Sequence, residues 1–71
     1  MHKFLVEVRN KDSWVLWAIW TQGTYRTALN NLIRLCAHSE QDINDFRIRR
    51  PSPSELEKAQ QIINQRKNTH D

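Results

Sequence analysis

Apolar and polar residues alternate in two runs at the start of the chain, and a short polar segment separates the runs. Side chains of a strand point alternately to opposite faces, so Phe4, Val6 and Val8 share one face of the first run. The second run, residues 13–21, is rich in Trp, Val and Ile, which favour strands. With turn-forming residues at 10–13, the two runs predict an antiparallel hairpin.

The register of this hairpin decides which indole faces solvent. The favoured register has a two-residue loop at residues 11–12 and leaves Trp14 and Trp20 on the second face, among charged side chains. A loop one residue longer or shorter exchanges the faces of the second strand and exposes Trp17 instead. A short chain has little material to cover both faces of a sheet, so either register predicts an indole at the surface. The favoured pairs are Val8 with Val15, Val6 with Trp17, and Phe4 with Ile19.

The three tryptophans, which recur at every third residue, also fit one face of a helix, and this second interpretation stays open at the level of the sequence. Trp, Val and Ile are mediocre helix formers, and the segment follows a strand and a turn. These two facts favour the strand.

The strongest periodic signal follows Gly23, where apolar residues recur at steps of three and four. This spacing predicts an amphipathic helix, with Thr24 or Thr21 as its N-cap. The apolar positions are Tyr25, Ala28, Leu29, Leu32, Ile33, Leu35 and Cys36.

A third strand and a second helix complete the pattern. Residues 43–50 alternate again, and Pro51 ends the run. Residues 52–55 have the sequence of a capping box with proline at the first helical position, so a second helix begins there. We expect its end, residues 66–71, to fray.

These elements predict one α+β domain over residues 1–71, in the order ββαβα. The expected architecture is a three-stranded antiparallel sheet with both helices packed on one face, that of Phe46 and Ile48. The open face would then show arginines beside tryptophans. The candidate residues for binding a partner or a nucleic acid are Arg9, Trp14, Trp20, Arg47, Arg49 and Arg50. A second candidate face, on the first helix, consists of Arg26, Asn30 and Arg34.

No set of residues in the chain predicts catalysis. Two histidines, His2 and His70, lie at the termini, and His38 lies at a helix end, where a cation is a common structural choice. Cys36 lies on an apolar stripe, which predicts a buried hydrophobe rather than a reactive thiolate. The acidic residues of 40–45 are expected to be solvated rather than to bind a cation. We therefore predict no enzyme, no metal site and no cofactor.

The composition also indicates the cellular compartment. A single cysteine excludes an internal disulfide, and the start of the chain lacks the pattern of a signal peptide. The longest apolar run, residues 14–20, is far shorter than the roughly 20 residues of a membrane span. We expect a cytoplasmic protein without membrane contact.

Three classes of function fit an exposed tryptophan among arginines. The first is non-catalytic docking on a host protein or a nucleoprotein complex, since both residue types are enriched at interface hot spots. The second is a nucleic-acid-binding module, consistent with the net charge of +3, in which aromatics stack bases and arginines neutralise phosphates. The third is a self-assembling regulatory homodimer that buries its two open sheet faces against each other.

Four segments give the chain a resemblance at the level of pattern: the short opening strand of residues 3–9, the Trp-rich second strand, the Thr-led helix at 24–33 and the Ile/Arg strand at 46–50. With these segments the chain resembles small accessory proteins of phages and prophages, including some anti-CRISPR inhibitors. The resemblance implies a non-catalytic inhibitor that occupies a surface of a host protein or nucleoprotein complex. It carries over no functional residue, because no motif aligns residue by residue.

Overall fold

The structure, a computed structural model, describes residues 1–68. Its α+β class and its order ββαβα confirm the prediction from the sequence. The third strand is shorter than the predicted run of residues 43–50: Ile43–Asp45 forms a 3-10 turn that leads into it, and only Phe46–Arg49 is extended. The strands are β1 (His2–Asn10), β2 (Ser13–Gln22) and β3 (Phe46–Arg49), and the helices are α1 (Tyr25–Ser39) and α2 (Pro53–Asn68).

The three strands form an antiparallel sheet in the order β2-β1-β3, so β1 is central and β2 is an edge strand. The predicted two-residue loop is present, and Val8 pairs with Val15. Beyond that pair a β-bulge interrupts the register between Val6 and Glu7 of β1. Trp17 is the extra residue of β2, because its neighbours on either side pair with these consecutive residues of β1.

The bulge overturns the rest of the predicted register. Val6 pairs with Ala18 rather than with Trp17, and Phe4 pairs with Trp20. One extra residue moves the side chains that follow it in β2 to the opposite faces of the sheet. Trp20 therefore lies on the same face as Phe4. The prediction that Trp20 shares the second face with Trp14 is therefore wrong.

The main core lies between α1 and the face of the sheet formed by Phe4, Val6, Phe46 and Ile48. At the start of α1 the predicted N-cap is confirmed: the Thr24 hydroxyl accepts a hydrogen bond from the Thr27 amide at 3.1 Å. Three buried side chains of the helix complete this core, namely Ala28, Leu32 and Cys36.

α2 lies on the opposite face of the sheet, which differs from the expectation that both helices share one face. Leu5, which points to this second face, is only 3% exposed, and Ala59 of α2 is buried with it beside Leu16. The second face carries apolar side chains of its own, and burying them against α2 removes them from water. The sheet is thus covered by one helix on each side.

Both ends of α2 are fixed by hydrogen bonds. The capping box is present at its start: the Glu55 amide donates to the Ser52 hydroxyl, and the Ser52 amide donates to the Glu55 carboxylate. Near its end, Arg66 donates to the Leu16 carbonyl of β2 at 2.6 Å. The helix continues to Asn68, so residues 66–68, expected to fray, are helical, and residues 69–71 of that expectation lie outside the described residues.

Candidate functional site

A corner of the second face, next to the hairpin loop, is left open by α2. It consists of Arg9 on β1, Trp14 on β2 and Arg47 on β3, which we call the arginine–tryptophan corner. Arg9 and Trp14 are paired across the hairpin, and Arg47 is paired with Glu7, two residues before Arg9. Side chains of residues on paired strands and one face lie close enough to interact. The pairing of the three strands therefore assembles the corner.

Both guanidinium groups of the corner lie near the same indole. The Arg47 Cζ is 4.5 Å from the centroid of the Trp14 ring, and the Arg9 Cζ is 5.6 Å from it. These distances are within the range of cation–π attraction, which is about 6 Å. The Arg9 Nη2 also donates to the Asn44 carbonyl at 3.2 Å, which ties the corner to the turn before β3.

Glu7 holds Arg47 in place from the centre of the sheet. Its Oε1 accepts hydrogen bonds from the Nε atoms of Arg47 and Arg49, both at 2.8 Å. Arg49 also forms an ion pair with Glu55 of α2, so alternating charges run from the helix across the sheet to the corner. Glu7 itself is only 7% exposed, and such a buried carboxylate requires these partners.

The two arginines control the ionisation of Glu7. Burial raises the pKa of the Glu7 carboxyl, but the hydrogen bonds and the positive charges of Arg49 and Arg47 together outweigh burial and hold that pKa below its usual value. The same contacts, with the contact to Glu55, raise the pKa of Arg49. Glu7 therefore stays ionised and keeps the Arg47 side chain directed along the sheet.

The structure brings together only part of the predicted binding set. Arg9, Trp14 and Arg47 meet in the corner, whereas Arg49 is engaged by two carboxylates. Arg50 lies at the far end of the sheet, where its Nη2 is 3.2 Å from His2 Nδ1. Trp20 lies on the other face, as described above. Of the second candidate face, Arg26, Asn30 and Arg34 are all exposed on α1.

Glu7 is the member of this site that sequence reasoning missed. In the sequence, Glu7 occupies the position of an ordinary charged residue on the outward side of a strand. A signal was present in β3, where Arg47 and Arg49 are two residues apart and point to the same face. Two such arginines beside one central glutamate fit a shared ion pair.

A concave feature that the sequence did not predict lies beside the outer edge of β2. It lies between the end of β2 and the facing side of α1, has a volume of about 460 Å³, and is called the edge groove here. Its lining residues are Ile19, Trp20, Thr21, Gln22, Asn31, Arg34, Leu35 and His38.

In residues 1–68, no three side chains of His, Cys, Asp or Glu are grouped so as to hold a metal ion. Burial and the nearby Asp42 raise the pKa of the buried Cys36 thiol, which disfavours a reactive thiolate. None of the helices in residues 1–68 has both the length and the apolar character needed to cross a bilayer.

Comparison with known proteins gives no match: no family model, no curated protein and no solved structure is significantly similar to this chain. The resemblance to phage accessory proteins therefore stays a prediction from the sequence pattern.

Proposed function

We propose that this chain is a non-catalytic binding module that docks on an acidic surface of a host protein or nucleoprotein complex through the arginine–tryptophan corner. The observation that carries the proposal is the convergence of Arg9 and Arg47 on the Trp14 indole, at a part of the sheet that neither helix covers. Arginine and tryptophan are enriched at interface hot spots, where a planar cation and a large ring contact one partner.

The biological setting of the proposal comes from the sequence alone. A cytoplasmic inhibitor encoded by a phage or another mobile element is its concrete form, supported by the resemblance described above. Such a protein acts by covering a surface and needs no catalytic group. The chemistry of the corner, a cationic patch with one aromatic ring, is suited to that mode of action.

One observation favours a protein surface over a nucleic acid as the partner. The Arg47 guanidinium already lies over the Trp14 ring, so a base would have to displace it to stack there. An acidic side chain of a protein partner needs no access to the ring face and can contact the outer guanidinium N–H groups of Arg9 and Arg47 directly.

The homodimer alternative loses its expected interface. It required the second faces of two sheets to pack together, and α2 already packs against the part of that face around Leu5 and Leu16. The open corner therefore supports docking on another partner better than packing of two sheets.

The proposal can be tested by calorimetric titration with a decaglutamate peptide and with a single-stranded oligonucleotide of equal length. We expect the peptide to bind and Arg9→Glu to weaken its binding by about tenfold, since a charge-assisted contact is lost and a repulsive one is created. Arg26→Glu, which makes the same charge change on the exposed side of α1, is the matched control and should bind like the wild type.

Two outcomes would contradict the proposal. Equal affinity of wild type and Arg9→Glu for the peptide would show that the corner is not the binding site. Binding of the oligonucleotide alone, with an affinity that falls steeply as salt rises, would establish the nucleic-acid alternative in its place.

A further inference from the structure

The outer edge of β2 is divided into two parts by α2. At the bulge, the Arg66 guanidinium donates to the Leu16 carbonyl at 2.6 Å and to the Trp17 carbonyl at 3.4 Å. An edge strand normally presents such groups as a template for another strand, and a charged side chain laid over them blocks pairing there. Beyond the bulge, no hydrogen bond from the described residues reaches the outer edge of residues 19–22.

This open part of the edge forms one wall of the edge groove. Its volume of about 460 Å³ falls within the range of about 300–1,000 Å³ that is typical of ligand clefts. Trp20 of β2 and Leu35 of α1, which is 36% exposed, give the groove an apolar surface. An extended segment laid along β2 would bury apolar side chains against them.

The charge of the groove indicates which segment it fits. Arg34 and His38 line the groove, and none of the described lining residues is acidic. Within residues 1–68, the Arg34 side chain forms no ion pair and no hydrogen bond. A carboxylate on the incoming segment would supply the partner that the Arg34 guanidinium lacks.

We propose that the edge groove binds an extended peptide segment of alternating apolar and acidic side chains, which adds to residues 19–22 as a fourth strand. Main-chain hydrogen bonds would provide affinity, and alternate side chains would provide specificity. The apolar residues would face Trp20 and Leu35, and an acidic residue would face Arg34. This site is separate from the arginine–tryptophan corner, so either proposal can fail without the other.

A second copy of this chain is the competing occupant, and its chemistry fits the groove less well. β2 contains neither Asp nor Glu, and the four residues of β3 include two arginines. Pairing either strand with β2 of another copy would therefore leave Arg34 without a carboxylate. Arg66 at the bulge would also stop a second β2 from pairing along the full edge.

The test is a selection of random linear peptides, displayed on phage, against the immobilised full chain. We expect enriched peptides to alternate apolar and acidic residues. Arg34→Glu should lower the affinity for the best enriched peptide by about tenfold, because the substitution replaces a charge-assisted contact with repulsion. The control Lys67→Glu makes the same change of charge at an exposed residue of α2 that does not line the groove, and should leave the affinity unchanged.

Strand addition has its own signature. In the complex, the backbone amide resonances of residues 19–22 should shift, and N-methylation of the peptide amides that face β2 should abolish binding. The proposal is overturned if no acidic peptide is enriched, if Arg34→Glu binds the enriched peptide like the wild type, or if the shifts fall in the corner. It is also overturned if sedimentation shows a dimer that the peptide does not dissociate.

Discussion

Glu7→Gln is expected to lower the free energy of unfolding by about 2–3 kcal/mol, although it changes only one side-chain atom. The substitution removes the charge that offsets two guanidinium groups, and Arg47 and Arg49 are then held side by side without a carboxylate between them. Their side chains are 42% and 37% exposed, so water screens part of the penalty, and the value lies below that of a fully buried pair. Urea denaturation at neutral pH measures this change in the free energy of unfolding. Glu57→Gln, on the exposed side of α2, is the control and should change stability by less than about 0.5 kcal/mol.

The effect of Glu7→Gln should depend on pH. Because the pKa of Glu7 is lower in the folded chain than its unfolded value of about 4.3, its stabilising contribution is complete above that value. The contribution is lost as pH falls through the lower folded pKa. Denaturation curves of wild type and variant should therefore converge as the pH is lowered below about 4. A difference that stays constant down to the most acidic condition would contradict the role assigned to this carboxylate.

Leu5→Ala should lower the free energy of unfolding by about 3 kcal/mol, within the usual range for a buried leucine. The reason is that α2 covers the second face of the sheet, where Leu5 is only 3% exposed and lies close to Ala59. Truncating the side chain removes buried apolar area and leaves a cavity between the helix and the sheet. Denaturant titration followed by circular dichroism gives the value.

Leu35→Ala provides the matched comparison for Leu5→Ala. The chemical change is the same, but Leu35 is 36% exposed, so its loss should cost less than about 1.5 kcal/mol. Equal losses for the two variants would mean that α2 does not shield the second face. The arrangement with one helix on each side of the sheet would then be wrong.

Local patterns in the sequence were sufficient to predict the order of the strands and helices of this fold. Alternation defined the strands, a three–four spacing defined α1, and residues 52–55 marked the start of α2 through a capping box that the structure contains. These features depend on neighbours in the chain. For the same reason, the two-residue hairpin loop was predicted correctly.

The bulge could not be predicted, because β2 is apolar on both faces. Trp17, Ala18 and Ile19 follow one another without a polar residue, so inserting one extra position leaves no trace in the alternation. That single insertion sends Trp20 to the α1 side and leaves Trp14 alone with the arginines. Which indole joins the candidate site was thus decided by backbone pairing, which composition does not encode.

The side of the sheet that α2 covers was also beyond the sequence. Leu5 and Leu16 made the second face partly apolar, yet Glu7, Arg9 and Arg47 on the same face suggested exposure to water. The structure satisfies both tendencies, because α2 covers the apolar part and leaves the cationic corner open. Contacts between segments that are far apart in the sequence decide which part of the face α2 covers, and a single sequence does not reveal those contacts.

The three tryptophans give the most direct test of the central claim, which is that the arginine–tryptophan corner docks an acidic partner. Each indole N–H has its own resonance, and Trp14 is on the face opposite to Trp17 and Trp20. Titration of the ¹⁵N-labelled chain with the decaglutamate peptide should shift the Trp14 indole resonance to saturation and leave the other two in place. A shift of Trp17 or Trp20 without one of Trp14, or no shift at all, would contradict the account.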